Sequence, residues 1–263
     1  MARCGPFQGL ARPLRSFTAF FVGKKRLVWA KLYADNRLPK QRVRMQSAVM
    51  QLNTPNGSGL PYAVSKRGFD IVVAGIGLVA LSPALAVIAA SIKLGSPGPV
   101  LYRGARVGLN ARPFNILKFR SMVIDAEAVG GSSTSVDDPR VTKVGSFLRR
   151  TKLDELPQLW NVLVGDMSFV GPRPQVQWAV DLYTPEERTV LSVRPGITDY
   201  ASLQFANEGE ILKGSSDPDR DYMEKIHPEK MRLSLEYVRS RSFSTDLAII
   251  GRTLGAVFKP TRN

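Results

Sequence analysis

The chain has 263 residues, enough for one sizeable domain with extensions, and its 44% hydrophobic content is that of a folded protein. A single cysteine, Cys4, excludes an internal disulfide and fits a reducing compartment; a single histidine, His227, argues against His-based catalysis or a His-rich metal site, leaving carboxylates, Lys/Arg and hydroxyls. The net charge is +15, and residues 1–69 carry +12 of it, with 13 Lys/Arg against one acid, Asp35, a balance that suits nucleic acid or an anionic membrane face.

Residues 1–60 form a basic extension closed by the turn-rich NTPNGSG at 53–59. Phe17–Val22 is too short to span a bilayer, and Lys24, Lys25 and Arg26 follow it where a signal peptide would carry a small-residue cleavage site. The extension is read as poorly ordered, with a surface arm on anionic lipid as the sharper alternative.

Ile71–Ile92 then runs 22 residues without a charge, long enough for one crossing of a hydrocarbon core of roughly 30 Å. Ser82-Pro83 lies near its centre, where proline removes a backbone hydrogen bond. Both flanks are basic, with Lys66 and Arg67 before it and Lys93, Arg103, Arg106 and Arg112 after it, which places both ends in the cytoplasm. A proline-kinked span and a bent helix that returns through the same leaflet remain open on these grounds.

SPGPV (Ser96–Val100) is a turn leading into VLYRGARVGLNARPFNILKFRSM, whose β-branched and aromatic residues around GLN predict a short hairpin. GGSSTSVDDP (130–139) reads as a loop, Val141–Leu163 as helix and GDMSFVGPRP (165–174) as irregular. A further helix is expected over Trp178–Val193, starting at Pro185-Glu186-Glu187; RPGITDYASLQF breaks helicity; Tyr222–Phe258 is largely helical and ends in the amphipathic FSTDLAIIGRTLGAVF. No GxxxxGK[ST] or GxGxxG nucleotide loop is present.

The adjacent acids Asp154-Glu155 stand in LDELPQLWNVL. Pro157 is tolerated in a first helical turn, so either Asp154 caps a helix or Thr151 does, with Asp154 three residues on. In both cases Asp154 sits at a helix N-terminus, where the backbone dipole lowers a carboxylate's pKa. A capping acid is the bland reading. Arg149, Arg150, Arg173, Lys118 and Arg120 supply cations nearby in sequence, and carboxylates among cations without histidine suit phosphates: an Asp attacks phosphorus, a neighbouring Glu holds Mg²⁺, and Arg/Lys neutralise oxygens.

The run from KRGFDIVVAGIGLVALSPALAVIAASIKLGSPGPVLYRGARVG through FNILKFRSM, DPRVTKVGSFLRRTKLDELPQLWNVLVGDMSFVGPRP and RPGIT closely resembles the bacterial sugar transferase family, the monotopic phosphoglycosyl transferases, over about Ser65–Phe258. The resemblance implies a mostly helical α/β fold with a small sheet. It implies a re-entrant membrane helix at 61–95 broken at Ser82-Pro83, and a cytoplasmic catalytic domain at 96–263 with interfacial C-terminal helices. The implied reaction moves a sugar-1-phosphate from a UDP-sugar to polyprenyl (undecaprenyl) phosphate and releases UMP, initiating exopolysaccharide, O-antigen or glycoprotein glycan assembly. Asp154 would be the nucleophile, Glu155 the Mg²⁺ ligand, and Arg149 and Arg173 phosphate partners, with Lys118, Arg120 and Arg194 as weaker carry-overs. Inner-membrane lipids would be partners, a homodimer is compatible, and nucleic acid would not be a partner. Many members read G-I-T-G-W where this chain reads GITDYASLQF, which leaves the sugar open; the family's multi-span N-terminal extension has no counterpart in the first 60 residues. The alternative from another class is a basic, membrane-tethered nucleic-acid or lipid-binding module.

Overall fold

The computed structural model describes residues 59–126 and 133–258, so the basic N-terminal segment and its Phe17–Val22 stretch lie outside the described residues. The first element, α1 (Leu60–Gly95), begins with a proline at its start, where the missing N–H costs nothing. At 36 residues it is about 54 Å of helix along its path. It has the length and apolarity to cross a membrane, and it exposes Ile71, Val72, Ile76, Val79, Val87 and Leu94.

Pro83 lies inside α1, and the local bonding shows how the helix continues through it. A residue there would normally donate its N–H to Val79 O; proline has none to give. The preceding Ser82 fills the vacancy, its Oγ donating to Val79 O at 2.8 Å. An acceptor left unpaired by removal of its donor costs roughly 1–3 kcal/mol, so serine before proline is a physical complement to it.

After the Ser96–Val100 turn, β1 (Leu101–Val107) and β2 (Pro113–Phe119) form the expected antiparallel hairpin, from Leu101↔Phe119 to Val107↔Pro113. Its turn carries Asn110 and Ala111 in the left-handed region. The stretch expected to be one helix over Val141–Leu163 is two. The first, α2 (Lys143–Arg150), is capped by Thr142 Oγ1, which accepts from Gly145 N at 2.9 Å; the second, α3 (Gln158–Val164), starts after Pro157. Between them Lys152 takes a left-handed φ of 58° and Leu153–Glu155 makes a 3₁₀ turn.

The segment read as irregular contains β3 (Ser168–Val170), paired in parallel with β4 (Gly196–Thr198). A side chain at Gly171 or Gly196 would overlap the opposing backbone, so both must be glycine for this close approach. The helix expected over Trp178–Val193 is broken into α4 (Gln177–Asp181) and a 3₁₀ turn, Glu187–Ser192, with Pro185 between them. Short helices α5 (Tyr200–Gln204), α6 (Glu208–Ile211) and α7 (Pro218–Asp221) follow, then a π-helical turn, Tyr222–Ile226. The described residues end with α8 (His227–Ser240) and α9 (Phe243–Phe258), in the stretch read as largely helical from sequence.

Both halves of α1 pack on the same body. Ala74 is buried with Ile116, Val162 and Met167, while Ile92 is buried with Phe119 and Leu148. A third cluster joins Val107, Val170, Val180, Met231, Tyr237 and Ile249, tying both strand pairs to α8 and α9. Polar ties lock the N-terminal half further. Arg67 donates to Val162 O at 2.6 Å and Leu163 O at 2.8 Å, capping α3, and Phe169 N donates to Asp70 Oδ1 at 3.2 Å. Lys66 and Tyr62 meet buried Asp246 at 2.6 and 3.0 Å, and Tyr237 donates to its other oxygen at 2.8 Å.

Candidate active site

Glu155 is the hub of the site. Its Oε1 receives Lys118 Nζ at 2.8 Å and Arg173 Nη2 at 2.5 Å, and its Oε2 receives Arg173 Nη1 at 2.9 Å. Arg173 thus grips the carboxylate through two parallel bonds, the geometry a guanidinium fork favours. Its Nη1 also reaches Ile197 O at 2.6 Å, fixing the loop after β3 against β4. Burial pushes the Glu155 carboxyl up, but the charges and hydrogen bonds of Arg173 and Lys118 outweigh it and hold the pKa well below the carboxylate range.

Asp154 is the opposite case. It is 5% exposed and, among the described residues, makes no side-chain hydrogen bond and no ion pair. Burial pushes its carboxyl above the usual value and Glu155 adds to this, while Lys118, Arg149 and Lys152 pull it back. The expected lowering by a helix N-terminus is therefore corrected. Thr151 ends α2 and Pro157 opens α3, so neither Asp154 nor Thr151 caps a helix, and desolvation decides the direction instead. The left-handed Lys152 makes the turn that brings the two acids in, a backbone state that propensity does not announce for lysine.

The remaining sequence-predicted residues divide. Arg149 is electrostatically in the site: burial lowers its pKa while Asp154 raises it, and its Nη2 contacts Thr134 Oγ1 at 3.4 Å. Arg120 and Arg194 are committed to backbone. Arg120 donates to Pro97 O at 2.6 Å and to Ser96 O and Oγ at 2.9 Å, latching the turn after α1. Arg194 Nε donates to Gly165 O at 3.0 Å. Ser82 and Pro83 lie on the exposed surface of α1.

The site residues fit Mg²⁺ only by exchange. Among the described residues no group of three or more His, Cys, Asp or Glu gathers as a ready-made cage. Mg²⁺ commonly takes one or two protein carboxylates and fills its shell with water and substrate phosphates, and Glu155 supplies the right donor type. Both its oxygens, however, already carry cations, so a metal there takes the place of Lys118 or one arm of Arg173.

An apolar helix docked by both halves on a small α/β body, with one carboxylate saturated by cations and a neighbour without a side-chain partner among the described residues, defines a class of membrane-associated domain. Residues 61–260 match the model of the bacterial sugar transferase family, and the chain belongs to that family. It is 42% identical over 197 residues to a UDP-glucose:undecaprenyl-phosphate glucose-1-phosphate transferase of Escherichia coli, covering 72% of this chain and 39% of the relative. An Aeromonas hydrophila UDP-N-acetylgalactosamine-undecaprenyl-phosphate N-acetylgalactosaminephosphotransferase is 38% identical over 76% of this chain and 46% of its own. A Caulobacter vibrioides enzyme named as the E. coli one is 37% identical over 84% of this chain and 81% of the relative. The chain thus spans less than half the length of the first two relatives and about four-fifths of the third.

Proposed function

We propose that the protein is a phosphoglycosyl transferase that moves a sugar-1-phosphate from a UDP-sugar to undecaprenyl phosphate, in two steps through Asp154. In the first step an Asp154 carboxylate oxygen attacks the phosphorus that bears the sugar. The bond to the UMP oxygen breaks, UMP leaves with that electron pair, and the sugar phosphate is held as an acyl phosphate. In the second step an oxygen of the lipid phosphate attacks the same phosphorus, the bond to Asp154 breaks, and the carboxylate is regenerated with undecaprenyl diphosphate sugar as product. No proton needs removal from either nucleophile, in keeping with a chain that has one histidine.

The observation that carries this reading is the division of labour between neighbours. Among the described residues Asp154 keeps its oxygens free of hydrogen bonds and ion pairs, while Glu155 gathers Lys118 and Arg173 at the same point. Those cations, with Arg149, would take up phosphate oxygens. Bound Mg²⁺, with Glu155 as a ligand, would supply further charge neutralisation for the leaving nucleotide.

The packing of Ala74 and Ile92 on one body supports a re-entrant α1 with both ends on one face of the membrane. A crossing helix would carry its two ends to opposite faces. With basic residues at both ends, that face is the cytoplasmic side of the inner membrane. The names of the relatives support undecaprenyl phosphate as acceptor and a UDP-hexose or UDP-acetamidohexose as donor. The test is UMP release from a panel of UDP-sugars with undecaprenyl phosphate and Mg²⁺. Wild type should release UMP from at least one donor, and Asp154→Asn from none while still partitioning into membranes; full activity of Asp154→Asn would remove Asp154 as nucleophile.

A further inference from the structure

A second group of polar and aromatic side chains begins two residues beyond Arg173. Gln175 Nε2 donates to Tyr222 Oη at 3.2 Å, and the Tyr222 ring centroid lies 5.3 Å from Lys230 Nζ. The same ammonium stands 6.0 Å from the Phe205 ring centroid and is ion-paired with Glu208. Next to Glu208, Gly209 O accepts from Val136 N at 3.1 Å, and Thr134 of that loop meets Arg149. These contacts run from the Arg173 loop round to Arg149, whose charge acts on Asp154. Charge is felt across the group: Glu208 acts on the Arg173 guanidinium, and Arg173 acts on Tyr222. The π-helical turn that begins at Tyr222 inserts an extra residue per turn, a feature frequent at functional sites.

The chemistry of this cluster is that of a sugar subsite. A carboxylate acceptor beside an ammonium donor matches two adjacent hydroxyls, and aromatic rings flanking them offer apolar surface to the C–H face of a pyranose. Glu208 is the accessible half of the pair, with 41% of its side chain exposed against 15% for Lys230. In the reaction proposed above, the hexose is bonded directly to the attacked phosphate, so it must lie within contact reach of the cations on that phosphate. We propose that Glu208 and Lys230, flanked by Tyr222 and Phe205, bind the hexose of the donor by a vicinal pair of hydroxyls and set which sugar is accepted. This rests on the transferase reading.

The test has a kinetic arm and a binding arm, both on full-length protein in nanodiscs. In the kinetic arm, Glu208→Gln and Lys230→Met are compared with wild type for UMP release from UDP-glucose, UDP-galactose and their N-acetyl counterparts, with inhibition by UDP measured in parallel. Losing a hydrogen bond to a charged group should lower kcat/KM for the preferred donor about 10- to 100-fold and flatten the ratios between donors. UDP inhibition should stay within about twofold. An equal loss for all donors with weakened UDP inhibition would put the diol on the ribose and overturn the hexose assignment. Unchanged ratios would leave the ion pair as a tie between α6 and α8 and overturn it too. In the binding arm, saturation-transfer NMR with UDP-glucose on Asp154→Asn should show signal on hexose and uridine protons, and adding Glu208→Gln should erase the hexose signal alone. This arm stands without turnover: if wild type releases no UMP yet the hexose signal depends on Glu208, the subsite holds and the transferase reading fails.

Discussion

Two adjacent carboxylates in opposite electrostatic states should respond to neutralisation with opposite signs. Glu155 holds Lys118 and Arg173 through contacts of 2.5–2.9 Å, with side-chain exposures of 17% for the acid and 25% for each cation. Removing the charge of one member of a buried pair typically costs about 3–5 kcal/mol, because the partner is left uncompensated. Partial exposure of the cations lets water recover some of this, so Glu155→Gln should lose roughly 2–3 kcal/mol. For a body of this size that is a fall in Tm of roughly 5–10 °C. Asp154→Asn removes a buried charge with no hydrogen-bond or ion-pair partner among the described residues and should gain about 1 kcal/mol, the scale of an unmatched buried polar group. The pH dependence follows from the directions of the shifts. Burial lifts Asp154 above its ordinary 3.8, so wild type loses stability as pH rises from there through the raised value; the Asn advantage is present at neutral pH and vanishes in acid. Glu155 is depressed below its ordinary 4.5, so its contribution is present at neutral pH and lost as pH falls through the folded value. Intrinsic fluorescence melts in nanodiscs between pH 2 and 8 measure both, with UMP release followed on the same samples at neutral pH. If Asp154→Asn melts below wild type at neutral pH, the unpaired buried charge is refuted.

The other expectations concern α1 and the cations on Glu155. In a Cys4→Ser background, single cysteines at the exposed positions Val64 and Leu94 should both label from the cytoplasmic side, and labelling from opposite sides would mean a crossing helix. Ser82→Ala should cost about 1 kcal/mol by stranding Val79 O, yet Ser82→Ala with Pro83→Ala should cost less than Ser82→Ala alone, since an alanine in place of the proline restores the missing donor. Additive effects in nanodisc melts would refute the pairing of that serine with that proline. Arg173→Lys keeps the charge but loses the fork on Glu155 and should lower kcat at least about tenfold, while near-wild-type UMP release would show that charge alone suffices there.

What the sequence disclosed and what it withheld separate along a physical line. Period and punctuation are local, so the hairpin around GLN, the helical stretch ending at Phe258 and the uninterrupted apolar run of α1 were all legible. The break between α2 and α3 was not, because it depends on a lysine in a left-handed conformation that only the surrounding packing makes tolerable. From that single error followed the wrong sign for the pKa of Asp154: a residue placed at a helix start is stabilised as an anion, whereas the same residue packed beyond the end of α2 is desolvated. The cations were legible as a list and not as an arrangement. Lys118 lies 37 positions from Glu155 and Arg173 lies 18, while Arg120, two residues from Lys118 on the chain, is spent on the turn after α1.

The Ser82-Pro83 pair shows how a motif known by its spelling acquires a cause. Read as letters it marks a break; read as bonds, the serine repairs what the proline removes, at the one carbonyl that proline orphans. A helix can then bend in an apolar layer without leaving a polar group exposed there. Under the proposed function such a bend would matter, because the acceptor would be a lipid phosphate whose headgroup stays at the interface. A helix that returns to the face it entered, pinned at one end by Arg67 and Asp70 and at the other by Ile92, would keep Asp154 at the depth where that phosphate lies. On that reading the depth of Asp154 is set by how α1 is bonded, and the loss of one hydroxyl at position 82 should be felt at position 154.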